Sequence, residues 1–136
     1  MSKGNTTEND ILAYAFNATA FSWNAITNLH LSLHTADPGE AGSQTTSEAT
    51  YTSYARVAVA RSGSGWTVSG NSVTNAALVQ FPQASGGTNT ITYIAVGTSA
   101  SGAGQILYSG ALNASLAVSS GIQPQFAAGA LTLTED

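Results

Sequence analysis

In Asn28-Leu29-His30-Leu31-Ser32-Leu33-His34, leucines take every second position and polar residues take the alternate ones. A period of two places the leucines on one face of an extended chain, so this stretch predicts a half-buried β-strand. Downstream, residues 36–52 form a long loop that opens on Asp37-Pro38-Gly39. Pro38 fixes φ at the second turn position and Gly39 accepts a positive φ, which makes this a turn with a mechanism. A loop of that length inside a compact domain is functional or pinned against something.

Short strand patterns then recur to the end of the chain. Tyr54–Arg61 alternates Ala55, Val57 and Val59 with Arg56, Ala58 and Ala60. Trp66–Ser69 and Ser72–Thr74 flank Gly70-Asn71, a two-residue hairpin loop. Ala77–Phe81, Thr90–Gly97, Gln105–Leu112, Leu116–Val118, Ile122–Phe126 and Ala130–Thr134 complete the set. About eight to ten short strands at even spacing, with no helix between them, predict an all-β fold. The specific expectation is an antiparallel, jelly-roll-like β-sandwich. Its core is expected to hold Val57, Val59, Trp66, Ile94, Val96, Leu107 and Phe126 between two sheets. Small Ala, Ser and Thr side chains on the outer faces suit sheets that lie flat against other protein.

Upstream, residues 7–20 predict the one helix. Thr7 is the expected N-cap, with Asp10 three residues on in a capping-box-like pair. Ile11, Leu12, Ala15, Phe16 and Ala20 make an apolar stripe at helical spacing. Such a helix either covers an open end of the sheets or serves as an arm that docks on a partner. The whole of 1–136 reads as one domain, with 1–10 as an N-terminal arm.

Composition removes several function classes. Charged residues are 7% of the chain, against about 25% in ordinary domains. Lys3, Arg56 and Arg61 are the only basic side chains. Three cations cannot track a phosphate backbone or anchor to anionic lipid, so no nucleic-acid or membrane partner is expected. No apolar run approaches a membrane span, and the polar N-terminus has no signal-peptide core. The chain has no cysteine, which excludes disulfides, thiolate metal sites and a cysteine nucleophile.

The remaining residues assemble no catalytic or metal constellation. His30 and His34 lie on one strand, where positions four apart sit about 13 Å from each other, too far to share one ion. Both are expected at the surface or at an interface. Asp37 and Glu40 share a turn, and the 37–48 loop lacks the alternating ligands of a calcium loop. No nucleophile elbow or phosphate loop occurs. No enzyme activity and no cofactor are therefore expected. Arg56 and Arg61 face opposite sides of their strand, and each could pair with a loop carboxylate such as Glu48 or contact a partner.

Two segments carry a family resemblance. One runs Leu31-Ser-Leu-His34-Thr-Ala-Asp37-Pro38-Gly39-Glu40-Ala-Gly42 and continues through Tyr51-Thr-Ser-Tyr54-Ala-Arg56-Val-Ala-Val to Trp66. The other is the closing stretch Gly121-Ile-Gln-Pro124-Gln-Phe126-Ala-Ala-Gly129-Ala-Leu-Thr-Leu-Thr-Glu-Asp136. Together they resemble a family of small structural proteins of tailed bacteriophages, of head-decoration or tail-fibre-like type. The resemblance implies a virion protein made in the bacterial host cytoplasm. Small size and the lack of a repeat or shaft favour a capsid decoration (cement) protein on the head surface, bound to the major capsid protein and to copies of itself as a dimer or trimer. The alternative is a small tail or tail-fibre-associated adhesion module; a carbohydrate-binding or hydrolytic domain is a third class. The expected partner surface combines the arm with the long loop: Met1, Lys3, Asp37, Pro38, Glu40, Tyr51, Tyr54 and Arg56. Tyr51 and Tyr54 are expected to be exposed there, with Arg56 poised to take a capsid carboxylate.

Overall fold

The computed structural model describes residues 1–135. The chain is mostly β, 41% strand with one short helix. Its elements are β1 (Ser2–Lys3), α1 (Asn5–Asn17), β2 (Asn28–His34), β3 (Val57–Ala60), β4 (Trp66–Ser69), β5 (Ser72–Asn75), β6 (Val79–Gln80), β7 (Asn89–Gly97), β8 (Ile106–Val118), β9 (Gln125–Phe126) and β10 (Thr132–Thr134). They pair, always antiparallel, into three sheets: β1-β8-β7-β2-β3, β10-β5-β4 and β6-β9.

The strands match the expected number but are less even, and they form three sheets where two were expected. Gly70, at φ +60, turns the hairpin between β4 and β5, and Ser69 pairs directly with Ser72. The two segments expected as Gln105–Leu112 and Leu116–Val118 are one strand. Its ladder with β7 breaks between Ala111 and Leu116, so that Leu112–Ser115 stand opposite the single Thr92. Such an irregularity interrupts the alternation that the sequence pattern relies on.

One core joins the sheets. Leu31 and Leu33 of β2, Ile94 and Val96 of β7, Trp66 of β4, Leu133 of β10 and Phe81 are buried in a single cluster. Leu107 is also buried, whereas Val57, Val59 and Phe126 are only half-buried because they sit on short or edge strands.

The other face of β2 is covered as well. Ser32 and His34 have no exposed surface, so the expectation of surface histidines fails for His34. The cover is the chain's own long loop. Glu48 bridges to His34, the Gln44 amide donates to the His30 carbonyl at 3.0 Å, and the Ala49 N–H bonds the Leu33 carbonyl. The loop is therefore pinned against its own sheet.

The helix begins earlier than expected. Gly4, not Thr7, is the N-cap, and it makes no side-chain cap. Gly4 is buried so closely that a Cβ there would lie 2.4 Å from the Ile106 carbonyl oxygen. The Asn5 N–H at the helix start is satisfied instead by the Glu40 carbonyl at 2.9 Å. Thr7 lies within the first turn and donates its hydroxyl to the Ile106 carbonyl. The helix stops at Ala18, which takes a left-handed conformation at φ 54.

Candidate functional site

The residues expected to form one partner surface separate into two groups. Tyr51, Tyr54 and Arg56 belong to an internal network. Arg56 donates Nε and Nη2 to the two Glu48 carboxylate oxygens at 2.7 and 2.9 Å. Its Nη1 and the second Nη2 hydrogen donate to the Ser99 and Gly102 carbonyls. Its side chain is 3% exposed. The Tyr54 hydroxyl donates to Glu48 Oε1 at 2.9 Å and accepts the Leu33 N–H at 3.1 Å, while its ring packs on Phe81 and against Tyr51. Burial pushes the Tyr54 phenol well above its usual range, and the adjacent Glu48 charge reinforces this. Tyr51 is 2% exposed and donates its hydroxyl to the Pro82 carbonyl.

The expected exposure of these tyrosines is thus corrected. Both rings fill the space where the loop returns to the sheet, and Arg56 already holds a carboxylate of its own chain.

His34 completes this region. Its Nδ1–H donates to the Thr46 carbonyl at 2.8 Å, which leaves Nε2 to accept the Ser32 hydroxyl at 2.9 Å. Burial holds its pKa below the ordinary histidine value, and Arg56 adds to this against the opposing effects of the Thr46 bond and Glu48. A neutral imidazole locked on both nitrogens cross-braces strand and loop.

The second group gathers at the N-terminal end. Met1, Asp37 and Glu40 lie together on the rim of a groove of about 1160 Å³ between the β8 irregularity and the β9–β10 region. Asp37 is exposed, and its Oδ1 accepts the Gly39 N–H, which closes the turn; Pro38 is buried. The arm is not free. β1 pairs with β8, Met1 packs on the core and lies close to Gly110, and Lys3 binds Glu135 at 2.7 Å. Glu135 also accepts the Tyr108 hydroxyl, and these two donors hold its carboxyl below the usual range.

The outstanding feature is one that sequence reasoning left as two alternatives, the direction faced by the helical stripe. The face of α1 toward the body is small and polar. Thr7 is buried, and Gln105 bonds both the Thr7 hydroxyl and Asp10. The apolar stripe points away from the sheets, with Ile11, Leu12 and Phe16 exposed and Phe16 81% accessible. The helix thus turns its apolar face to the outside, the reverse of the usual surface helix.

The helix is also braced by a ladder that sequence reasoning missed. Tyr14 stacks on Phe21 with centroids 5.1 Å apart, Phe21 on Trp23 at 4.6 Å, and the Arg61 guanidinium caps Trp23 at 5.0 Å. Trp23 Nε1 donates to Asp10, and Arg61 holds the Asn24 and Ile26 carbonyls. The only sequence signal was a cluster of aromatics between Tyr14 and Trp23 that follows no single period.

Among the described residues no three of His, Asp or Glu come close enough to hold a metal ion. No helix there is long and apolar enough to cross a membrane. The arrangement offers an outward apolar helix on a rigid, internally paired β-body.

No curated protein matches the chain. A family model described as Podophage GP4 fiber I protein gp80 matches residues 2–134, nearly the whole sequence. This chain therefore belongs to the podophage GP4 fiber I protein gp80 family, a family of phage virion structural proteins.

Proposed function

We propose that the chain is a non-catalytic building unit of a virion fibre, attached mainly through apolar surface. The observation that carries this reading is the outward stripe of α1. A large exposed apolar surface on a soluble domain marks a contact site, and here it stands on a fixed helix. The charge inventory agrees. Glu48 and Arg56 bind each other, as do Lys3 and Glu135, so few charges remain for polar docking.

Head decoration is the second reading. It suits the small chain without a repeat, and it would place the protein against the major capsid protein on the head surface. Quantitative mass spectrometry of purified virions, scaled to the major capsid protein, separates the two. A fibre unit is present in a few copies per particle; a decoration protein approaches the copy number of the shell. A count near that of the shell rejects the fibre reading.

A further inference from the structure

The chain carries a second unpartnered apolar surface, and it complements the first. On β4, Trp66 and Val68 share the inner face, two residues apart. Trp66 is buried in the core, yet Val68 is 75% exposed. The cause is the sheet edge. In the register Leu133–Val73–Val68 the inner face runs from a buried residue on β10, through half-buried Val73 on the central β5, to the edge strand β4, where nothing opposes it. The sheets part there into a groove of about 620 Å³, walled by Leu29 and Val96 on one side and Trp66, Val68 and Val73 on the other. The Trp66 indole N–H has no hydrogen-bond partner among the described residues.

We propose that this groove receives helix α1 of a second copy of the chain, so that copies associate head to tail. Three observations select this occupant. First, Ile11, Leu12, Ala15 and Phe16 follow Glu8 at three, four, seven and eight residues, so Glu8 heads the outward stripe. That is the anchor pattern of a helix laid in an apolar groove.

Second, the charges match. Glu8 is exposed and has no partner among the described residues. Arg61 stands on the groove wall, bonded among the described residues only to backbone carbonyls and stacked on Trp23.

Third, the helix cannot serve its own groove, because its polar face is fixed to the start of β8 through Thr7, Asp10 and Gln105. Two different patches that fit each other make a heterologous contact, which closes into a ring or extends into a filament. The proposal rests on the reading that the chain is a unit of a multi-copy assembly.

The test is sedimentation of the full-length chain and of two variants. L12D/F16D disables the stripe, and V68D disables the groove. All three substituted positions are exposed, so melting temperatures should match the wild type; if V68D fails to fold, V68N replaces it. The wild type should sediment as an oligomer at tens of micromolar, and each variant alone as a monomer. An equimolar mixture of the two should form dimers and nothing larger, because one intact stripe and one intact groove remain.

A charge-reversal pair adds a second readout. E8R and R61E should each weaken association at least threefold, and E8R/R61E together should recover it. A monomeric wild type overturns the proposal. So does a V68D protein that still self-associates while L12D/F16D does not, since the stripe would then pair with itself. Loss of self-association by both variants with no dimer in the mixture also rejects it. If the wild-type chain is monomeric in solution yet enters virions in fibre-like copy number, the head-to-tail contact fails while the fibre reading stands.

Discussion

Arg56 engages all three guanidinium nitrogens within the chain, with two bonds to Glu48 and two to loop carbonyls. Removing one member of a buried pair leaves the other charge desolvated, which typically costs about 3–5 kcal/mol. Arg56→Ala should therefore lower the melting temperature by about 10–15 °C at this chain length. Replacing both members with apolar residues of similar volume, Arg56→Met with Glu48→Leu, should cost less than either truncation alone; calorimetry of the three variants checks the order.

His34 gives a pH signature. Its folded pKa lies below the ordinary 6.5 because of burial, so the unfolded chain takes up a proton first as the pH falls. The stability this group contributes is complete above pH 6.5 and is lost as the pH falls from there through the lowered folded value. Melting temperature should decline in that window, and His34→Gln should flatten the decline. His30, whose pKa is also lowered by burial, is the control to substitute separately.

These residues were only half legible. The Arg56–Glu48 pair stood among the sequence alternatives, because strand parity and a nearby loop carboxylate suffice to suggest it. Tyr51 and Tyr54 were misplaced for a physical reason. Tyrosine presents an apolar ring and a polar tip, and the same chemistry serves an interface and a loop-to-sheet seam. Only the loop's path, which no periodicity encodes, decides between them.

At the scale of elements, most strands with clean alternation were located to within a residue or two. β2 and β7 are examples, as are β4 and β5 around their Gly70-Asn71 turn. β3, however, spans only Val57–Ala60 of the expected Tyr54–Arg61, because Tyr54 and Arg56 are drawn into the bonds with Glu48. β8 was split because Leu112–Ser115 break the period, and β9 shrank because Ile122 is drawn into a turn.

The helix was displaced by its cap. Thr7 has capping chemistry, but Gly4 holds the position because only a residue without Cβ fits beside Ile106. Gly4→Ala must push apart two fixed backbones. We expect a loss of about 1–3 kcal/mol, in the range of overpacked sites, read as a lower denaturation midpoint. The outward stripe behaves in the opposite way. Leu12→Asp with Phe16→Asp should change stability by no more than about 0.5 kcal/mol, as surface substitutions do. It should nevertheless abolish incorporation into virions, measured by mass spectrometry of particles grown with the variant. Had the stripe faced the sheets, the same pair would unfold the domain.

For the whole molecule, the scarcity of charge governs how it can assemble. With 7% charged residues and both ion pairs among the described residues internal, attachment on the proposed reading rests mainly on apolar burial, which salt does not screen. Dissociation of the protein from purified particles should therefore change less than about threefold between low and 0.5 M sodium chloride, a range in which exposed ion pairs are largely screened. The all-β character and the phage-structural identity were readable from strand spacing and from the two resembling segments. The arrangement in three sheets and the direction of the helix were not, because both depend on which surfaces meet and not on any local pattern.

The central claim is that the outward face of α1 is a docking surface. A reconstruction of the intact virion that resolves this protein tests it most directly. The account predicts Ile11, Leu12 and Phe16 covered by another protein chain at every copy of the protein. A particle in which these three side chains face solvent at all copies would contradict it.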